Sequence, residues 1–155
     1  MIGRFLTALC AVILIPAAAA ACPNWRADPS FGNIALGSGF TPDPHVQRIT
    51  AGGTHDVGRC LGNGWTGRVS AAPDIDFYWG GGSLPLTIAA EVNSADAVLL
   101  INGPDGTWHY NDDYRGLNPA LRFPASAAGL YSVWIGTYDG SRRNPGRLVI
   151  TELSY

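Results

Sequence analysis

Apolar positions in this chain recur with a period of two. In "LPLTIAAEV", Leu84, Leu86, Ile88, Ala90 and Val92 alternate with Pro85, Thr87, Ala89 and Glu91, the pattern of a strand that buries one face. Strand-like runs of the same kind are "DIDFYW" (Asp74 to Trp79), "AVLLI" (Ala97 to Ile101), "TWHY" (Thr107 to Tyr110), "LYSVWIGTY" (Leu130 to Tyr138) and "RLVITEL" (Arg147 to Leu153). Two weaker ones, "HVQRIT" and "THDVGRC", flank the turn Ala51-Gly52-Gly53. Turn-forming clusters such as "GGGS", "VNSAD", "GPDG", "SAAG" and "DGSRRNPG" separate the runs. No window of ten or more residues sustains a 3.6-residue apolar spacing, so few or no helices are expected. The stretch from Cys22 to Thr41 has mixed polarity and reads as coil with one edge strand. About eight short antiparallel strands close most naturally as an all-β sandwich or jelly roll.

The first residues change the picture. Arg4, an apolar run from Phe5 to Ile15, Pro16 and a series of alanines read as a secretory signal peptide over 1–21, cleaved within Ala19 to Ala21. Its apolar core falls short of the roughly 20 residues of a spanning helix, and no later stretch reaches that length. The expected mature protein, 22–155, is a single domain, secreted or periplasmic. Export discards Cys10 and leaves Cys22 and Cys60 in an oxidising compartment, where one disulfide is available. Lipid modification of Cys22 is the alternative, and "AAAC" matches that signal poorly. Every basic residue is arginine, and the mature chain carries a net charge of about −3. No basic stripe is present to hold a phosphate backbone, which argues against nucleic acid as a partner.

Little in the sequence points to catalysis. No G-x-S-x-G occurs, and Ser38 in "LGSGF" lacks the strand-to-helix context of a nucleophile elbow. His45, His55 and His109 fall in separate segments without H-E-x-x-H or C-x-x-C, and read as strand or loop residues. Asp74 and Asp76 share one strand face by the period of two. That pair suits a glycosidase only if a sizeable cleft is present, and otherwise solvates the start of a strand.

The segment "NGPDGTWHYNDDYRGLNP" concentrates the remaining chemistry. Asp105, Asp112, Asp113 and Asn118 offer oxygens for a calcium ion, although not at EF-hand spacing. The competing reading is a turn at "GPDG" followed by Asx-turns. Trp108, Tyr110 and Tyr114 are candidates for an aromatic binding face, with Trp108 and Tyr110 pointing the same way; packing into a core is the alternative.

From Asp96 onward, "ADAVLLINGPDGTWHYNDD", "RFPASAAGLYSVWIGTY" and "PGRLVITE" follow one another in an order that resembles the bacterial pre-peptidase C-terminal domain family, over roughly the last 60 residues. Small exported proteins with a similar arrangement, here Pro42-Asp43-Pro44, Ala51-Gly52-Gly53, Cys60 and Pro73-Asp74, are often labelled chymotrypsin-type peptidases. This chain has neither a G-D-S-G-G motif nor a histidine in a matching context. The resemblance implies a β-sandwich that binds or stabilises, in some members with calcium. The expected function is a non-catalytic exported module for an extracellular or periplasmic protein or polysaccharide. A small hydrolase and a purely structural envelope protein are the alternatives.

Overall fold

The computed structural model describes residues 22–140 and 143–155; the expected leader, 1–21, lies outside them. Eleven strands and one short helix make up the described residues: β1 Asn33–Leu36, β2 His45–Ala51, β3 His55–Asp56, α1 Val57–Leu61, β4 Arg68–Val69, β5 Ile75–Trp79, β6 Leu86–Glu91, β7 Ala97–Asn102, β8 Trp108–Asn111, β9 Ala120–Phe123, β10 Gly129–Thr137 and β11 Asn144–Thr151. They form the expected two-sheet sandwich. One sheet has the order β2-β11-β6-β9, and the other is organised around β10. One edge of β10 carries β7 and then β8. Its other edge is shared between two strands: β5 pairs residues 129–133, and β4 pairs Thr137.

Period-two alternation builds the core between the sheets. Ile75, Phe77 and Trp79 of β5, Leu86, Ile88 and Ala90 of β6, Ala97, Leu99 and Ile101 of β7, and Leu148 and Ile150 of β11 meet there. The alternate positions are not all wet, as a one-faced reading of "LPLTIAAEV" implies. Thr87 and Ala89 are buried on the outer face of β6, where Tyr155 packs against Ala89, Ala120 and Val149. Leu84 lies before the strand and is exposed.

Three features depart from the sequence reading. β1 pairs with β5 in parallel, so the sheet is not purely antiparallel. The edge strand β1 and two strands without a counterpart in the sequence reading, β4 and β9, raise the count from eight to eleven; β4, with two residues, is too short to show a period. "THDVGRC" is a strand for only two residues before it turns into α1. There Asp56 acts as N-cap, its Oδ1 accepting from the Arg59 amide at 3.0 Å, and Gly62 ends the helix at φ +75°.

Residues 57–67 fold over the outer face of the β10 sheet. Val57, Leu61 and Trp65 pack on Val69, Val98, Leu100 and Trp134. This lid contains Cys60, which forms the expected disulfide with Cys22. The bridge closes a loop of 38 residues and on the chain-entropy account contributes about 4 kcal/mol. Reduction, or the Cys22→Ser/Cys60→Ser pair, is therefore expected to lower the urea midpoint of the mature protein substantially. Equal midpoints with and without reductant would mean that the bridge does not hold the lid.

Candidate functional site

Asp74 precedes β5 at the point where the shared edge of β10 has no strand. β5 stops at Val133 and β4 begins at Thr137, so the main-chain groups of Ile135 face a gap. The Asp74 side chain fills it: its Oδ2 accepts from the Ile135 amide at 2.6 Å, while its own amide donates to the Val133 carbonyl at 2.8 Å. The Ile135 carbonyl accepts from the Gly52 amide at 2.9 Å. Glycine suits this corner, because Gly52 has φ +127° and a Cβ on Gly53 would lie 1.9 Å from the Val69 carbonyl carbon.

Around Asp74 three connections leave an open cleft of about 450 Å³. The β2–β3 turn supplies Thr50, Thr54 and His55; the β4–β5 loop supplies Ser70 and Asp74; the β10–β11 connection supplies Gly140 and Arg143. Ser30 and Phe31 form a further wall, their amides donating hydrogen bonds to the carbonyls of Pro73 and Asp74 at 2.9 and 2.8 Å. Asp74 is only 3% exposed. Burial raises its pKa to about 7, against the smaller lowering effects of the Ile135 amide and the Arg143 charge. Asp76, on the same face, is also buried, and its Oδ1 accepts from Ser132 Oγ at 2.7 Å. Its pKa is raised by burial first, with Asp28 adding to the rise. The two aspartates share a face as the sequence indicates, but they do not solvate a strand end.

The other sequence candidates lie elsewhere. Asp105 sits in the β7–β8 turn, where Thr107 gives it both its amide (2.9 Å) and its hydroxyl (2.8 Å), holding its carboxyl below the usual range. Asp112 and Asp113 follow the far end of β8, beyond a four-residue strand that rises about 3.3 Å per residue. Asp105 therefore cannot share a coordination sphere with them. The fourth proposed ligand, Asn118, directs its Oδ1 to the Val92 amide at 2.7 Å. Among the described residues no group of three His, Cys, Asp or Glu side chains has metal-binding geometry, and this set does not fit calcium. Asp112 and Asp113 instead face Asp96 and, with Asp139, raise its pKa beyond the effect of burial.

Trp108 and Tyr110 do point the same way, but toward the lid. Tyr110 stacks on Trp65 at 5.3 Å and donates its hydroxyl to the Thr66 carbonyl at 2.7 Å; Trp108 lies 5.3 Å from Trp134. They are part of the second apolar cluster. Tyr114 alone of the three is exposed, at 51%, beside Tyr155. Ser38 donates its hydroxyl to Glu152 at 2.7 Å, tying the loop after β1 to the chain end. His109 packs edge-on against Phe123.

No protein-family model matches the chain, and no curated protein is similar to it. Among solved structures it is similar to PliG of Aeromonas hydrophila, a periplasmic lysozyme inhibitor of g-type lysozyme. The identity is 13%, over 81% of this chain and 98% of that one, with a TM-score of 0.39.

The sequence does mark Asp74, but not the cleft. Its walls come from segments more than 20 residues apart in places, and no local motif links them. The raised pKa gives a test. Between about pH 4 and pH 7 the native state keeps a proton on Asp74 that the unfolded chain has released. The group's contribution therefore falls as pH rises through this window and levels off above it, with a full effect on the order of 4 kcal/mol. Asp74→Asn keeps an acceptor for Ile135 but cannot ionise. Its stability relative to wild type is expected to rise in urea unfolding from pH 5 to about pH 7 and then to level off, whereas a constant difference would contradict a neutral Asp74 at low pH.

Proposed function

We propose that this chain is an exported, non-catalytic β-sandwich module of the pre-peptidase C-terminal type, and that the Asp74 cleft is its binding site. The observation that carries the reading is the cleft itself: a concave site in which three connections bring a buried carboxylate, an arginine, a histidine and several hydroxyls together. Clefts of this size with convergent polar groups and a perturbed carboxylate are where ligands bind. The Cys22–Cys60 bridge supports an oxidising compartment. The family assignment is supported by the motif order from Asp96 onward and by the sandwich architecture.

A binding role accounts for the side chains better than hydrolysis does. Ser70 shares the cleft with His55 and Asp74, yet its hydroxyl donates to the Ala72 carbonyl at 2.7 Å. Asp74 itself is committed to the β10 main chain. An acid held in this way completes a sheet and presents a polar floor to a ligand.

The test is an amide NMR screen of small polar fragments on the mature protein, run beside assays with fluorogenic ester and peptide substrates. Binding predicts that hits cluster on Phe31, Thr54, His55 and Ile135, with no turnover above that of Asp74→Asn. Hits scattered elsewhere would remove the cleft as the site. Turnover abolished by His55→Ala or Asp74→Asn would replace the module by a hydrolase.

A further inference from the structure

Hydroxyl groups line the cleft from several sides: Ser30 on the N-terminal wall, Thr50 and Thr54 on the β2–β3 side, and Ser70 on the β4–β5 side. A hydroxyl both donates and accepts, so this lining suits a ligand whose own groups do both. Ser70 has spent its proton on Ala72 and presents its lone pairs as acceptors.

Charge narrows the choice further. Above about pH 7, where Asp74 is ionised, Asp74 and Arg143 bear opposite charges on the same cleft, and the ion pairs among the described residues do not join them. A cationic ligand drawn to Asp74 meets Arg143, and an anionic one drawn to Arg143 meets Asp74. A neutral ligand with many hydroxyls avoids both repulsions and still hydrogen-bonds with each group, donating to Asp74 and accepting from Arg143. Phe31, 37% exposed, adds an aromatic surface at the same site. Hydroxyl-bearing edges around an apolar C–H face are the surface chemistry of a pyranose ring, and about 450 Å³ leaves room for such a ring with its substituents.

We propose that the cleft holds a neutral sugar residue, with its hydroxyls on the threonines, Ser70 and Asp74 and its C–H face against Phe31. This rests on the reading of the cleft as a binding site, and names the ligand class for it.

The experiment is an amide NMR titration at about pH 8, where Asp74 is ionised, of the disulfide-bonded mature protein with millimolar glucose, galactose and N-acetylglucosamine, and in parallel with glucosamine and glucuronate. The expected result is saturable shifts at Phe31, Thr54 and Ile135 with at least one neutral sugar, and weaker ones with both charged sugars. Phe31→Ala and Thr54→Val replace exposed side chains, so each should keep a folded spectrum while weakening that sugar by about fivefold or more, the equivalent of one lost ring contact or hydrogen bond. Stronger shifts with glucosamine or glucuronate would overturn the neutral-ligand assignment. If polar fragments shift the cleft amides and none of these sugars does, the sugar class fails and the binding site stands. If neither moves them in a well-folded sample, both fail.

Discussion

The sandwich depends on how one residue's main chain is satisfied. β10 pairs with three strands, β7 along one edge and β5 and β4 along the other, yet neither β5 nor β4 reaches Ile135. A buried, unpaired amide there would cost about 1–3 kcal/mol. Asp74 and Gly52 close the gap from two different loops, one with a carboxylate and the other with an amide. The same two contacts bring the β2–β3 turn and the β4–β5 loop to one end of the molecule. The cleft is thus a by-product of completing the sheet, and its floor is as fixed as the sheet itself. This also explains how a carboxylate comes to be buried with no ion pair among the described residues: its geometry is set by backbone need, and the desolvation appears in its pKa.

Long alternating runs were legible. β6, β7, β10 and β11 lie close to where the apolar pattern places them, because each has enough residues for a period to show. What alternation cannot tell is what covers each face. Trp108 and Tyr110 are on one face of β8 as read, but they are covered by a lid that reaches them only through tertiary packing and is tied down by the disulfide. Asp74 and Asp76 fail in the same manner, on a face the sequence leaves open. The Asp105–Asp113 cluster misleads for the opposite reason. Residues close in sequence are driven apart by an extended strand, which gains about 3.3 Å per residue where a loop could have folded back.

Charge is distributed unevenly over this mildly acidic chain. Asp96, Asp112, Asp113 and Asp139 interact at one region, whereas on the outer face of the β2-β11-β6-β9 sheet Arg48 stands directly across from Arg147. Glu91 relieves that face, accepting from Arg147 Nε at 2.5 Å and from the Tyr155 hydroxyl at 3.1 Å. Tyr155 in turn lies under Arg115, 4.5 Å from its ring centre. The last residue of the chain is therefore part of the electrostatic balance of a sheet face.

The Cys22–Cys60 bond also fixes how the molecule would bear load. Tension applied at Cys22, the expected mature N-terminus, passes across the sulfurs to Cys60 in α1 and continues from there, bypassing everything between. That shielded loop contains β1, β2 and β3, along with Phe31, Thr50, Gly52 and His55 of the cleft. An edge strand such as β1, which would otherwise peel from β5 one hydrogen bond at a time, carries none of the force. A module pulled from that side must first give way at its lid, with half of the cleft still in place.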